Sequence, residues 1–276
     1  MRTKCNLAII GTPRSASSAL AKILVAEGWS VPKFGDAPDM SPSKFNAEGY
    51  FESTFLNLMN DQIIRARFGL DYSFLFPPEY SDVSELEISD DFFFDLYDQS
   101  LDIPSNYLET IQSYTGEDWD VWGLTRMLQG GKWHKAYSTR SLASGVSLKT
   151  SIDDFNRYLS AENGVVLKDS RLTFTLDLFS DNVDKVIVLS REDSGLTSSI
   201  RNHYGKNIFT SQRCDPFSWV SNHFNYKIKP MTLDSYVDRY ASFSKALTKN
   251  KKVLFLDQSE LRSENNLTPL LEFIHS

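Results

Sequence analysis

Residues able to bind a small anion follow the first apolar run of the chain. They are Thr12, Pro13, Arg14, Ser15, Ala16, Ser17 and Ser18. They lie between a predicted strand and a predicted helix, and in such a connection the converging backbone N–H groups and the helix dipole favour negative charge. Arg14 adds a planar cation, and the serines add hydroxyl donors. The segment therefore predicts a pocket for a small anion.

The same segment departs from the ATP-binding loop G-x-x-x-x-G-K-[ST]. With Gly11 at the first glycine, Ala16 takes the place of the second glycine and Ser17 that of the lysine. Ser18 keeps the Ser/Thr position. Because the lysine that grips phosphate is missing, a nucleotide kinase or hydrolase is disfavoured. The alternative to a binding loop is an ordinary N-capped helix after a strand.

A second candidate anion site follows the apolar run Lys185–Ser190. Arg191 comes directly after this run, and Ser199 stands eight positions later. An arginine at a strand end and a serine about two helical turns further on could contact one phosphate from two sides. An arginine–phosphate contact is a strong, charge-assisted bond. The alternative is a surface strand end with a capping serine.

Four short apolar runs predict the strands that position these residues. They are continuously apolar and rich in β-branched residues, which is typical of strands buried on both faces of a parallel sheet. Helical spacing lies between them, and this alternation favours βαβ units. We therefore predict an α/β fold with a doubly wound, mainly parallel sheet flanked by helices. The predicted strands are Asn6–Gly11, Gly164–Lys168, Lys185–Ser190 and Lys252–Asp257, and the predicted helices are Ser17–Glu27 and Glu52–Arg67.

The stretch from about residue 70 to 160 differs from the rest of the chain. It is acidic and rich in aromatic residues, and it lacks a clear core strand. We interpret it as a helical insertion or cap within a single domain spanning 1–276; the alternative is that it completes the core. Its aromatic residues could line a pocket or simply be core; they include Phe92, Phe93, Phe94, Trp119, Trp122 and Trp133.

Composition limits the function classes. The chain has 276 residues, 29 Lys+Arg against 36 Asp+Glu and a net charge of −7, which disfavours a broad nucleic-acid-binding surface. Cys5 and Cys214 cannot form a disulfide framework, and the four histidines are dispersed, so no metal site is predicted. No apolar run approaches the ~18 residues of a membrane span. We expect a cytoplasmic protein without a membrane or nucleic-acid partner; its oligomeric state is open.

Two of these motifs resemble those of the bacterial-type sulfotransferase family. The run from Pro13 to Ser18 is similar to the family's 5′-phosphosulfate loop P-R-S-G-[ST]-[ST], with Ala16 in place of glycine. Arg191 and Ser199 match the family's 3′-phosphate motif, in which a strand leads into Arg and then Ser.

Three weaker resemblances occur in the family's order along the chain. The segment 165–172 is similar to V-x-K-D-P-R-L, with Ser170 in place of proline. The segment 46–52 is similar to N-P-K-G-Y-[FW]-E, with Ala47 and Glu48 replacing Pro and Lys. The C-terminal runs Val253–Leu261 and Leu267–Ile274 resemble the last strand and closing helix.

The resemblance implies a P-loop NTPase-like sulfotransferase fold and a metal-independent activity. The expected reaction moves a sulfonate in line from 3′-phosphoadenosine-5′-phosphosulfate (PAPS) to a hydroxyl or amine of a small-molecule, glycan or lipid acceptor, releasing adenosine 3′,5′-bisphosphate. The expected donor-binding residues are Thr12, Pro13, Arg14, Ser15, Ala16, Ser17, Ser18, Arg191 and Ser199.

The resemblance also implies catalytic roles. Lys168 occupies the position of the family's catalytic strand-end lysine, and Arg14 would help to stabilise the leaving phosphate. Glu52 is the first candidate for the general base. Asp169 is a weaker candidate, because strand alternation would turn it away from Lys168 and it could instead pair with Arg171. The other candidates for the base are Glu48, Asp169 and His134. Two other functions stay open: a nucleotide- or sulfate-binding module without catalysis, and a P-loop small-molecule kinase.

Overall fold

The computed structural model describes residues 5–33, 49–68, 77–80, 88, 147–192, 195–199, 232–262 and 267–276. It confirms an α/β fold with an all-parallel, four-stranded sheet flanked by helices. The strands are β1 (Leu7–Gly11), β2 (Val166–Lys168), β3 (Lys185–Ser190) and β4 (Lys252–Asp257). The helices are α1 (Ser17–Ala26), α2 (Thr54–Phe68), α3 (Leu148–Ala161), α4 (Leu233–Leu247) and α5 (Thr268–His275). Three 3₁₀ segments cover Ser170–Phe174, Leu176–Asn182 and Glu260–Arg262.

The strand order is β2-β1-β3-β4. Because β2 lies on one side of β1 while β3 and β4 lie on the other, the winding of the sheet changes direction between β1 and β3. In open α/β sheets, ligands bind outside the carboxyl ends of the strands at such a point. β1 ends at Gly11 and β3 at Ser190. The loop 12–16 and Arg191 therefore leave the sheet side by side at its switch point.

Helices cover both faces of the sheet, as the apolar strand runs predict. Leu7 and Ile9 of β1 pack in a cluster with residues of α1 and α5. Ala8 and Ile10 point to the other face and pack with residues of α2 and α3. β4 departs from the prediction of strands buried on both faces, because the side chain of Phe255 is 65% exposed. Among the described strands β4 is at the edge of the sheet, so one flank of it has no neighbouring strand.

Helix α3 belongs to the stretch interpreted as an insertion or cap, yet it completes the core. Leu148, Ile152, Phe155 and Leu159 are buried in the cluster that covers one face of the sheet. This end of the stretch therefore agrees with the alternative interpretation, in which the stretch completes the core. The aromatic residues between 92 and 133 lie outside the described residues.

Gly11 fixes the place where the first loop leaves the sheet. Its φ is +123°, and a Cβ at this position would lie 2.2 Å from the carbonyl oxygen of Leu189 in β3. Its N–H donates to the hydroxyl of Thr173 at 3.0 Å. Only glycine allows β1 and β3 to approach so closely at this conformation.

None of the helices within the described ranges is long and apolar enough to span a membrane.

Candidate functional site

The loop between β1 and α1 is held in a strained conformation. Arg14 has φ 71° and Ala16 has φ 66°, and the one other described non-glycine residue with positive φ is Phe51, at 53°. The left-handed region costs a non-glycine residue about 1–2 kcal/mol. Phe51 directly precedes Glu52, so all three strained residues lie around the predicted site. Backbone strain of this kind clusters at functional sites, where the surroundings impose the conformation.

Ser15 contributes a buried polar group to the same loop. Its side chain is fully buried, and its hydroxyl has no hydrogen-bond partner among the described residues. A buried hydroxyl without a partner costs about 1–3 kcal/mol. An oxygen-rich ligand in the loop would supply the acceptor that this hydroxyl lacks.

The loop and the second predicted anion site are in direct contact. Arg14 Nε donates to the hydroxyl of Ser199 at 3.1 Å. Arg191 Nη1 donates to the backbone carbonyl of Arg14 at 2.9 Å. Ser199 lies in the helical segment 195–199 that follows β3. The fold therefore brings both members of the Arg191–Ser199 pair to the β1–α1 loop.

Lys168 lies at the carboxyl end of β2, and its side chain is only 3% exposed. Its ammonium donates to the hydroxyl of Ser18 at 3.0 Å and to the carbonyl of Tyr50 at 2.8 Å. It also forms an ion pair with the carboxylate of Glu52. Lys168 thus connects the N-terminus of α1 with the segment that precedes α2.

Glu52 is held from two sides. One carboxylate oxygen contacts Lys168, and the other accepts a hydrogen bond from Asn57 Nδ2 at 2.9 Å. The side chain is 5% exposed. These contacts make Glu52 the buried counter-ion of Lys168; its role as a base stays a prediction. Glu48 and His134, two alternatives for the base, lie outside the described residues.

Asp169 belongs to a separate buried network. It pairs with Nη1 of the fully buried Arg171 at 2.9 Å and accepts from Asn60 Nδ2 at 3.0 Å. Asn60 in turn accepts from the hydroxyl of Thr175 at 2.7 Å. This is the pairing that strand alternation predicts as the alternative to a role as base, and it disfavours Asp169 as the proton acceptor.

Among the described residues the site has an excess of positive charge, although the chain as a whole is acidic. Three cations, Arg14, Lys168 and Arg191, come together around a loop and a helix N-terminus, whose N–H groups also favour anions. The carboxylate of Glu52, which pairs with Lys168, offsets one of these charges. Among the residues that the structure describes, no group of three or more His, Cys, Asp or Glu side chains could hold a metal ion.

Some contributors were not found by sequence reasoning. Asn57 holds Glu52, the carbonyl of Tyr50 holds Lys168, and the hydroxyl of Thr173 anchors Gly11. Asn57 and Thr173 carry no recognisable pattern. Tyr50 lies in the segment 46–52, but that pattern does not show that its backbone carbonyl faces Lys168. Gly195 carries one signal, a glycine at the start of the helix predicted after Arg191.

Comparison with known proteins finds no matching family model, curated protein or solved structure.

Proposed function

We propose that the protein is a sulfotransferase that uses PAPS as the sulfonate donor. The observation that carries the proposal is the direct contact of the Arg14 loop with Arg191 and Ser199. Two candidate phosphate-binding arrangements lie next to each other at the switch point of the sheet. This fits one ligand with phosphate groups at two positions better than it fits a single phosphate.

The residues of the site suit such a donor. The loop 12–16 and the hydroxyls at the start of α1 would hold its 5′-phosphosulfate, and the buried hydroxyl of Ser15 fits an oxygen-rich group. Arg191 and Ser199 would hold its 3′-phosphate. When bound, the donor supplies the sulfonate and a phosphate leaving group.

Cations favour the transfer when charge grows on the leaving oxygen. Arg14 and Lys168 would serve this role, and Lys168 is held beside the N-terminus of α1 by its bond to Ser18. Glu52 keeps Lys168 paired within the buried site. Glu52 is also the first candidate for the base that takes the acceptor's proton. In that role its carboxylate would take the proton while it contacts Lys168 and Asn57.

A binding module without catalysis is the second candidate. The observation that favours it is the left-handed conformation of Ala16, at a position where the family that the sequence resembles prefers glycine. A Cβ at positive φ stands in the way of close phosphate approach to the backbone. Such a protein would bind the donor but transfer no sulfonate.

Titration calorimetry with adenosine 3′,5′-bisphosphate and with adenosine 5′-phosphate, both in EDTA, tests the proposal. We expect metal-independent binding and a preference for the bisphosphate. Arg191→Ala should lower the affinity for the bisphosphate by about 10- to 100-fold, because it removes a charge-assisted contact worth about 1.5–3 kcal/mol. The affinity for adenosine 5′-phosphate should fall much less. No binding at millimolar ligand would contradict the proposed function, and equal losses for both ligands would contradict the role of Arg191.

Turnover separates the enzyme from the binding module. Donor labelled in its sulfonate group is incubated with pools of alcohols, amines, glycans and lipids, and label on any acceptor is measured. Lys168→Met combined with Glu52→Gln is the matched inactive variant, since it removes both charges of the buried pair and leaves neither one unpaired. Tight donor binding with no label transferred to any acceptor would favour the binding module.

A further inference from the structure

Gly195 lies directly against the guanidinium of Arg191. A Cβ at position 195 would be 2.9 Å from Arg191 Nε, 3.3 Å from Nη2 and 3.5 Å from Cζ. The first distance is too short for a carbon in a folded protein. The backbone of Gly195 is not in the left-handed region, so it is the Arg191 side chain that excludes a Cβ here.

Glycine is locally unfavourable at this position. The segment 195–199 is helical, with Gly195 as its first described residue, and glycine is a poorer helix former than alanine. A glycine that is needed neither for backbone conformation nor for helix formation indicates another requirement. The contact with Arg191 supplies it, because any side chain at this position would displace the guanidinium.

We propose that Gly195 is a positioning residue for recognition of a 3′-phosphate. Its missing side chain lets Arg191 lie across the start of the helical segment, where Nη1 reaches the carbonyl of Arg14. One turn later, Ser199 accepts from Arg14 Nε. The Arg191 guanidinium therefore joins the first loop to the second anion site. The inference rests on the proposed function for the identity of the ligand.

The geometry predicts that Gly195→Ala weakens binding of the bisphosphate without lowering the stability of the fold. The atoms that must move are the far end of a flexible side chain, so the variant should fold. It should be as stable as the wild type, or more so, because alanine is the better helix former. Because the guanidinium is displaced, the affinity for adenosine 3′,5′-bisphosphate should fall about tenfold, the effect of losing one charge-assisted bond. Binding of adenosine 5′-phosphate should change by less than about twofold.

A double-mutant cycle tests this inference with the full chain. The affinities of both nucleotides are measured for the wild type, Gly195→Ala, Arg191→Ala and the double variant, and urea unfolding is followed in parallel. We expect Gly195→Ala to reduce the preference for the bisphosphate in the wild type and to have no effect in the Arg191→Ala background. Ser198→Ala, at an exposed position of the same segment, is the control and should keep the wild-type preference.

The outcomes separate the two proposals. If the wild type prefers the bisphosphate and Gly195→Ala keeps that preference, the inference is wrong and the proposed function stands. An equal loss with and without Arg191 also overturns it, as does a Gly195→Ala variant that fails to fold. If the wild type binds neither nucleotide, the proposed function fails and the inference fails with it.

Discussion

At the scale of single residues, the strain in the first loop is the most informative feature of the site. Arg14, Ala16 and Phe51 adopt positive φ without being glycine. Ala16 is the residue before α1, and its side chain makes no capping hydrogen bond. Its conformation is therefore imposed by the contacts of the loop and is not chosen by the residue itself.

Ala16→Gly should stabilise the protein. It removes a left-handed cost of about 1–2 kcal/mol, offset by up to about 1 kcal/mol of extra unfolded-state entropy, so we expect a net gain of about 0.5–1 kcal/mol in the free energy of unfolding. Without the Cβ, the proposed ligand could also approach the loop backbone more closely, so the affinity for the bisphosphate should rise. Urea unfolding and calorimetry measure both effects.

The control for Ala16→Gly is Ala26→Gly at the exposed last residue of the same helix. There glycine has no strain to relieve and should destabilise the protein by up to about 1 kcal/mol. Equal destabilisation by both variants would show that Ala16 is not strained.

The buried ion pair of Lys168 and Glu52 is the second feature at this scale. Glu52→Gln should cost about 3–5 kcal/mol of unfolding free energy, because it leaves a buried ammonium without its counter-charge. Combining it with Lys168→Met should restore much of the loss, since both charges are then gone. Denaturant unfolding of the two single variants and the double variant measures this coupling.

Asp154→Asn is the matched control for Glu52→Gln. Asp154 pairs with Arg157 on the surface, where the arginine side chain is 77% exposed. Surface pairs contribute about 1 kcal/mol or less. A loss for Glu52→Gln no larger than that of Asp154→Asn would mean that Lys168 does not depend on Glu52.

At the scale of the elements, the carboxyl ends of the strands are held together by polar contacts. β4 ends at Asp257, whose carboxylate accepts from the hydroxyl of Ser190 at the end of β3, at 3.1 Å, and from the N–H of Ser259 at 2.9 Å. The N–H of Gln258 donates to the carbonyl of Ser190 at 3.0 Å. These bonds fix the end of β3, from which Arg191 leaves the sheet.

Asp257→Asn should change how stability depends on pH. Burial raises the pKa of the Asp257 carboxyl, but hydrogen bonds from Ser259, Ser190 and Gln258 together bring the pKa below its ordinary value. A lowered pKa in the folded state gives stability that is present above the unfolded pKa of about 3.9. That stability is lost as the pH falls through the lower folded pKa.

The measurement is thermal unfolding of wild type and Asp257→Asn from pH 7 down to pH 3. The wild type should be more stable at neutral pH, and the difference should shrink towards the acid end. A difference that stays constant over the whole range would contradict the assignment.

At the scale of the whole molecule, the three cations of the site gather at the carboxyl ends of the strands. The site draws on β1, β2, β3 and the connections that follow them. At the opposite end of the strands, the ammonium of Lys185 at the start of β3 donates to the carbonyl of Phe273 in α5 at 2.7 Å. The chain has a net charge of −7, so the positive site is a local feature of the fold.

Adenosine 3′,5′-bisphosphate should protect two distant segments together. Residues 12–18 and 195–199 should both exchange their amide hydrogens more slowly, because one ligand would bind both sides of the switch point. The C-terminal part of α5 should be unaffected. Hydrogen exchange followed by mass spectrometry measures this, and protection of 12–18 alone would contradict binding at both anion sites.

Local patterns predicted most of the described elements. The strands β3 and β4 begin and end where the apolar runs do, and α1 ends before Gly28 as expected. Helix α2 begins two residues later than predicted, at Thr54, because Ser53 caps it by accepting from the N–H of Leu56. The exposure of Phe255 was not predicted, since an apolar run does not reveal whether its strand lies at the edge.

The amino-acid sequence by itself determined where the strands run and which segments carry candidate anion-binding side chains, because both depend on neighbours in the chain. Only the tertiary structure decided that Arg191 reaches the carbonyl of Arg14, 177 residues away, and that Lys168 pairs with Glu52, 116 residues away. It also decided the left-handed conformation of Ala16. These features depend on strand order and on packing between distant segments, and neither is encoded in a local pattern of residue types.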